Sequence, residues 1–515
     1  MSTPRAEDPK ATSREWVGLA VLALPCLLYS MDLTVLNLAV PKLSAVLRPT
    51  SSELLWIVDI YGFVLAGALI PMGVLGDRVG RRRLLLTGAA AFGFASVLAA
   101  FASSVGALVA ARALLGLAAA TLAPSTLSLL RCMFLDPKQR RFAIGVWIAS
   151  FSAGGAIGPL IGGLMLQFFW WGSVFLINVP VMVLLLAVGP KLLPEFRNPQ
   201  AGKPDTLSAT LCIATILAVI YGIKRMAEHG ADWAAVTAIV SGIAIGAVFL
   251  RRQRNLADPF IDLSLFRQLM FSAALAINIF GFFVAFGAFL LIAQYFQLVL
   301  GLSPLVAGLW SAPSGIAFVV GAMLTPRIAN HVAPSHLIAG GFVIAALGFG
   351  LLTQTGTPHD IAVVATAYAV FSLGLAPVFT LASDVIVSTA PPERAGAAAG
   401  ISEMSAELGG ALGIALLGSV VTIIYRATVG DAIADNLPPD VLEAARNTLG
   451  GALSAAGALS DEHSAALVRV SRNAFVEAFR AVALASAAIT LIAAVVTALL
   501  LGGPRQDVGI APTPT

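Results

Sequence analysis

Four carboxylates lie inside long apolar runs of this chain: Asp32, Asp59, Glu403 and Glu407. A charge at the centre of a membrane helix costs at least about 2.5–3.5 kcal/mol on insertion scales, so a run that keeps one marks a site by default. Asp32 sits in MDLTVLNLAVP (31–41), and Asp59 in WIVDIY (56–61), between Trp56 and Tyr61. At a helical rise of about 1.5 Å per residue, both acids fall roughly 7–8 Å outward of their segment centres and could share a vestibule. Glu403 and Glu407 are four residues apart, which puts them on one helix face. Burial favours the neutral carboxyl and a nearby cation favours the charged one, so an acid moved between such settings loads and releases a proton. The competing reading of each acid is a structural group bonded to neighbouring helices. For Asp384, which lies just before APPERAG, that reading is preferred. Arg112, in LVAARALLGLAAA, is the one arginine deep in an apolar run. It stays charged and needs a partner. Asp32 is the obvious candidate, and the pair would form a proton switch; the alternative is a tie to backbone carbonyls.

The elements that must hold these groups are membrane helices. The chain has 515 residues, 58% hydrophobic and 11% charged, against about 25% charged in a soluble domain. Apolar segments fall at about 16–40, 54–75, 84–103, 106–132, 141–166, 173–193, 205–226, 233–251, 270–298, 304–327, 334–354, 360–387, 396–424 and 476–502. A crossing takes about 20 helical residues, so the expected fold is all-α and polytopic, with fourteen transmembrane helices and both termini on one side. The division that follows is a tail at 1–15, six helices at 16–193, an inserted pair at 205–251, six helices at 270–502 and a tail at 503–515. The segment 426–475 is the one sizeable extramembrane part, expected to form a small helical hairpin from ADNLPPDVLEAARNTLGG and DEHSAALVRVSRNAF.

Placing the N-terminus inside puts 21 of the 31 Lys and Arg residues in inner segments and nine in outer ones, the bias that marks the cytoplasmic face. The densest inner turn is GVLGDRVGRRR (73–83), with Asp77 and Arg78 between Gly73 and Gly80 and Arg81 directly after. GAMLTPRIANH, from Gly321, echoes it 248 residues later, close to half the chain. Related halves are common in transporters, with the site near the midplane between them. In FSAGGAIGPLIGG, Gly154, Gly158 and Gly162 repeat every four residues beside Pro159. That spacing lets helices approach closely and would permit a sliding or gating surface. Aromatic residues near the acids (Trp56, Tyr61, Phe63) and further along (Trp147, Phe280, Phe282, Phe283, Phe286, Trp310) could meet a lipophilic cation through cation–π contact, although most membrane phenylalanines pack or face lipid. No GxxxxGK[ST] loop is present, which argues against ATP coupling. Cys26, Cys132 and Cys212 lack metal spacing. The basic residues lie in short loops and give no nucleic-acid face. No nucleophile–base set points to an enzyme.

In order along nearly the whole chain, these motifs resemble the fourteen-helix drug:proton antiporters of the major facilitator superfamily, and most closely the Qac-type exporters of quaternary ammonium compounds. The resemblance rests on MDLTVLNLAVP, WIVDIY, GVLGDRVGRRR, LVAARALLG, GGAIGPLIGG, FLINVP (175–180) and SEMSAELGG (402–410). It implies two six-helix bundles plus two inserted helices, and export of lipophilic cations driven by the proton gradient without a cofactor. It implies proton coupling by Asp32, Arg112 and Glu407. It implies substrate contact by Asp59, Glu403, Glu407, Trp56 and Tyr61. Gating would fall to Gly73, Asp77, Arg78, Gly80, Arg81, Gly154, Gly158, Pro159 and Gly162. The expected partners are lipophilic cations, protons and the bilayer of the cell membrane, with both termini cytoplasmic and the protein monomeric. Two departures stand out. The segment 304–327 has no acid, which weighs against divalent cations while the four acids keep them open, and Gly172 stands where relatives often carry a basic residue. A narrow-specificity exporter of a metabolite, amino acid, siderophore or antibiotic is the second reading.

Overall fold

The computed structural model describes residues 10–47, 49, 51–197, 205–229, 232–256, 259, 261–356, 360–432, 441–442, 445–446, 448–457, 459 and 461–501. The expected tail at 503–515 and the first nine residues of the tail at 1–15 lie outside them. All fourteen expected segments are helical. They are α1 (Ser13–Leu47), α2 (Ser51–Val79), α3 (Arg81–Ala100), α4 (Val105–Met133), α5 (Pro137–Phe168), α6 (Asn178–Leu192), α7 (Thr206–His229), α8 (Trp233–Asn255), α9 (Leu269–Gln294), α10 (Pro304–Ile328), α11 (Pro334–Leu352), α12 (Asp360–Thr389), α13 (Ala395–Ala432) and α14 (Asp461–Leu501). Among the described residues, thirteen helices are long and apolar enough to cross a membrane. The remaining long helix, α5, packs between α1 and α10. Helices suit this medium because every backbone group is satisfied within the segment.

Local chemistry sets the ends. Asp136 caps α5 through Gln139 N at 2.8 Å, with Pro137 in the first turn, and Ser104 caps α4 through Ala107 N at 3.2 Å. Such caps satisfy amides that have no partner within the helix. The arginine-dense turn after α2 is a single residue, Gly80. Its φ of 114° favours glycine, and a Cβ there would come within 2.6 Å of Glu195 Oε1.

The same pairings occur in both halves. In the first, α1 packs on α5, α2 on α4, α3 on α4, and α3 on α6. In the second, α9 packs on α13, α10 on α12, α11 on α12, and α11 on α14. The seams between the bundles repeat likewise, α2 on α13 and α5 on α10. The echo of GVLGDRVGRRR is thus the end of α10, the counterpart of α2. The pair α7–α8 is a hairpin whose α7 covers the α2–α13 seam, with Cys212, Ile216 and Ile220 joining Phe63, Ile70, Ala398 and Ile401 in one apolar cluster.

One expectation needs correction. The stretch DEHSAALVRVSRNAF does not form half of a separate hairpin; it is the first part of α14, which begins at Asp461 rather than near 476. At 38 and 41 residues, α13 and α14 exceed the roughly 20 needed to cross, so their facing ends project. There a short helix, Leu449–Ala456, closes a small core of Val441, Ala445, Ala452, Ala456 and Leu467. Polar residues in 461–475 are compatible with a helix outside lipid, which is why an apolar-run criterion cut it short.

Candidate functional site

The first cluster lies where α1, α2 and α4 meet. Asp32 and Arg112 are 5% and 1% exposed, and Arg112 Nη1 donates to Asp32 Oδ2 at 2.9 Å. Arg112 Nε donates to the carbonyl of Ile57 at 2.9 Å, and its guanidinium lies 5.0 Å from the centre of the Tyr61 ring. Both alternatives read from the sequence, a carboxylate partner and a backbone carbonyl, are therefore present together. Asn178 of α6 lies within reach of Asp32 and donates to Ser96 Oγ at 3.2 Å. A buried ion pair needs further hydrogen bonds to satisfy its atoms; the Ile57 carbonyl supplies one for Arg112, and the Tyr61 ring adds a cation–π contact.

The second cluster is at mid-height between the bundles. Glu403 and Glu407 lie on α13, partly exposed. Tyr29 of α1, three residues before Asp32, donates its hydroxyl hydrogen to Glu407 Oε1 at 2.8 Å. The Tyr29 ring is 6.5 Å from that of Tyr61 and 5.3 Å from Phe151, which in turn is 4.7 Å from Trp147. Trp147 is fixed by its Nε1 bond to Thr126 Oγ1 at 2.9 Å. From the second bundle, Phe286 of α9 packs against Gly410, one turn on from Glu407, within a ring series in which Phe282 stacks on Phe379 at 4.1 Å and Phe289 continues the row. Carboxylates flanked by rings are what a lipophilic cation needs.

Asp59 lies in α2, but its side chain falls outside the described residues, as does that of Pro159. The vestibule expected for Asp32 and Asp59 therefore rests on Asp32 alone, and Asp32 is closed over by Arg112. Trp56 is exposed, 6.3 Å from Phe63, and Phe280 and Trp310 are exposed as well. Of the expected aromatic residues, Tyr61, Phe63 and Trp147 are buried, and these three are not.

The third cluster closes the end of the molecule at which α1 begins. Asp77 accepts from Gly396 N and Ala397 N at 3.0 Å each, so a carboxylate from one bundle caps the first turn of α13 in the other, where the helix dipole favours negative charge. Arg81 is fully buried. It bonds Asp77 Oδ1 at 2.9 Å, the Pro392 carbonyl at 2.6 Å and Cys132 Sγ at 2.8 Å, under the Phe196 ring at 4.5 Å. Arg140 and Arg141 each reach Asp384 at 3.2 Å, and Arg131 reaches the carbonyls of Val387 and Ser388. Asp384, expected to be structural, is thus an ionic tie between α5 and α12. Gly73 lies so close to Gly396 that a Cβ on it would overlap the Gly396 carbonyl oxygen. Arg78 lies beside this cluster, one residue past Asp77. Gly154 and Gly162 serve a different contact: they seat α5 on Leu27 and Val35 of α1, within one bundle, and Gly158 is buried on the same helix. Gly409 and Gly413 do the same for α13 on Ile279 and Phe283 of α9.

Sequence reasoning missed Tyr29, and it missed Glu195 with Phe196. The last two come from a polar linker, yet Glu195 accepts from Arg82 N at 3.2 Å and Phe196 O accepts from Arg81 N at 3.0 Å. Among the described residues no group of His, Cys, Asp and Glu could hold a metal ion.

A sequence profile described as Major Facilitator Superfamily matches residues 22–414. The chain is 41% identical to the multidrug efflux pump LfrA of Mycolicibacterium smegmatis, over 96% of this chain and 99% of that one. It is 34% identical to the methyl viologen resistance protein SmvA of Salmonella typhimurium, over 93% and 96%. It is 30% identical to the tetracenomycin C resistance and export protein of Streptomyces glaucescens, over 96% and 95%. A crystal structure of the human organic anion transporter MFSD10 superposes with a TM-score of 0.55 at 15% identity, over 90% of this chain and 98% of that one, a likeness of fold alone.

Proposed function

The chain belongs to the Major Facilitator Superfamily, and from that premise we propose that it is a proton-driven multidrug exporter of lipophilic cations. One observation carries the class of cargo: 41% identity over 96% of the chain to a protein named a multidrug efflux pump. The geometry is in keeping with a charged cargo. Glu403 and Glu407 face the space between the bundles with rings on both sides, while Asp32 is held apart from them by Arg112. A protein named for methyl viologen resistance is 34% identical. Methyl viologen is a planar dication, and two carboxylates one helical turn apart match two positive charges, with Asp59 as a further acid on α2.

In this reading the end closed by Asp77, Arg81 and Asp384 is cytoplasmic, both termini lie in the cytoplasm, and the bilayer is the cell membrane. The protein works as a monomer and needs no cofactor. A cation enters from the cytoplasmic side when that end opens and pairs with Glu407 and Glu403. The bundles rock about the α2–α13 and α5–α10 seams, the cytoplasmic end closes as seen here, and protons arriving from outside neutralise the acids and displace the cation. Asp32 and Arg112 set when that exchange is allowed. The relative named for tetracenomycin C export keeps a single-antibiotic exporter as the second reading.

Cells expressing the protein and preloaded with ethidium test the first reading. The expected result is efflux that a protonophore stops and that persists when ATP alone is depleted. Efflux that ignores the protonophore and stops with ATP overturns proton coupling. Good expression with no ethidium efflux, and protection against one antibiotic only, favours the second reading.

A further inference from the structure

The two acid clusters are joined by tyrosines that no part of the proposed transport cycle yet uses. Tyr29 lies on α1 and Glu407 on α13, so their 2.8 Å bond crosses between the bundles at mid-height. The other inter-bundle polar contacts described above are all at the end closed by Asp77 and Asp384. Tyr61, whose ring stands between Tyr29 and the Arg112 guanidinium, is fully buried. Its hydroxyl has no hydrogen-bond partner among the described residues. A buried hydroxyl without a partner is unfavourable, and here it marks a vacant acceptor or donor position one ring away from Tyr29.

Accepting that the protein is a proton-coupled exporter, we infer that Tyr29 is the positioning residue that forbids the empty carrier to change state. While Glu407 is ionised and carries no cargo, it accepts the Tyr29 hydroxyl hydrogen, and this bond holds α1 against α13. When Glu407 takes a proton or pairs with a cation, it no longer competes for that hydrogen. Tyr29 is then released and turns toward Tyr61, and the bundles are free to rock. The charged or titratable groups around the bond are Glu403 on α13, Cys26 and Asp32 on α1, Tyr61 on α2 and Arg112 on α4. The described side chains that α5 and α9 bring to it are the rings of Trp147, Phe151 and Phe286. Exchange of cation for proton requires such a lock, since a carrier that returns empty lets cargo run downhill without a proton.

The test is Tyr29→Phe, which keeps the ring and removes the hydroxyl, in liposomes holding the full-length protein and ethidium. Ethidium–ethidium exchange uses only the loaded carrier, and each protein's net flux is expressed relative to its own exchange rate. Net downhill ethidium flux without a pH gradient needs the carrier to return empty or protonated. In wild type this flux is expected to fall as pH rises from 6 to 9, whereas in Tyr29→Phe it stays level and exceeds wild type at the alkaline end by about tenfold, the scale of one lost hydrogen bond to a charged group. A Tyr29→Phe profile that falls with pH as wild type does overturns the inference. If the variant also loses exchange, spin labels at Val46→Cys on α1 and Ile423→Cys on α13 decide. Two distance populations at pH 9 without cargo support the lock, and the single wild-type population overturns it. Wild type that shows no proton-dependent flux at all contradicts the exporter reading itself, a different failure from that of Tyr29.

Discussion

Asp32 and Arg112 show why a charged pair can persist in a membrane helix bundle. Each is buried, and removing either partner would strand the other. Truncating one member of such a pair costs about 3–5 kcal/mol, while replacing both is often neutral. Asp32→Ala is therefore expected to lower the melting temperature in detergent sharply, and Asp32→Ala with Arg112→Met to recover much of the loss while remaining inactive in efflux. Equal destabilisation by the single and double variants would show that the pair is not the unit of stability. Asp32 and Arg112 were legible as charges in apolar runs, because apolar surroundings make any charge conspicuous. Tyr29 was not legible: a lone tyrosine in an apolar helix has no spacing signature, and its partner is 378 residues away. Trp56 is exposed on α2, a placement that closeness in sequence to Asp59 does not reveal.

At the scale of elements, apolar length located the fourteen long helices of the described residues, thirteen of them apolar enough to cross a membrane, and glycine spacing predicted a close-packed face on α5. That face meets α1 within its own bundle, and the glycines at the seams between the bundles are others, Gly73 and Gly145 against Gly396 and Ala322. Spacing identifies a face and leaves its partner open. The α7–α8 hairpin is tied at one end by Asp205, which accepts from Ser208 and from Arg252 at 3.1 Å, and at the other by Arg225 with Asp232 at 2.6 Å. Slight burial pushes the Asp205 carboxyl up, but the bonds from Ser208 and then Arg252 outweigh it and hold it below the ordinary range. A carboxyl lowered on folding contributes stability above its unfolded value, about 3.9, and loses it as pH falls through the folded value. The difference in melting temperature between wild type and Asp205→Asn should thus be constant from pH 7 to 5 and close below about pH 4. A difference that grows on acidification would contradict the tie.

For the whole molecule, the faint echo between 73–83 and 321–331 proved to mark equivalent helix ends in two halves with the same pairings. The echo is weak because only one copy keeps the acid and most of the arginines. Asp77 and Arg81 align with Thr325 and Ala329, so the charged cluster at the end of α2 has no equivalent at the end of α10, while close glycine contact occurs at both seams, Gly73 on Gly396 and Gly145 on Ala322. The asymmetry is extended by α7, which covers the α2–α13 seam and leaves α5–α10 bare. The linker ahead of α7 also places Glu195 and Phe196 on Arg82 and Arg81, a contact invisible in sequence because polar linkers have no periodicity. The central claim is that this two-bundle machine exchanges a cation for protons. Its most direct test uses liposomes with an acidic lumen, purified protein and external ethidium. Wild type should concentrate ethidium inside as protons leave, lose that capacity when the pH gradient is collapsed, and show none with Asp32→Asn. Accumulation that survives collapse of the gradient, or that Asp32→Asn supports as well as wild type does, would contradict it.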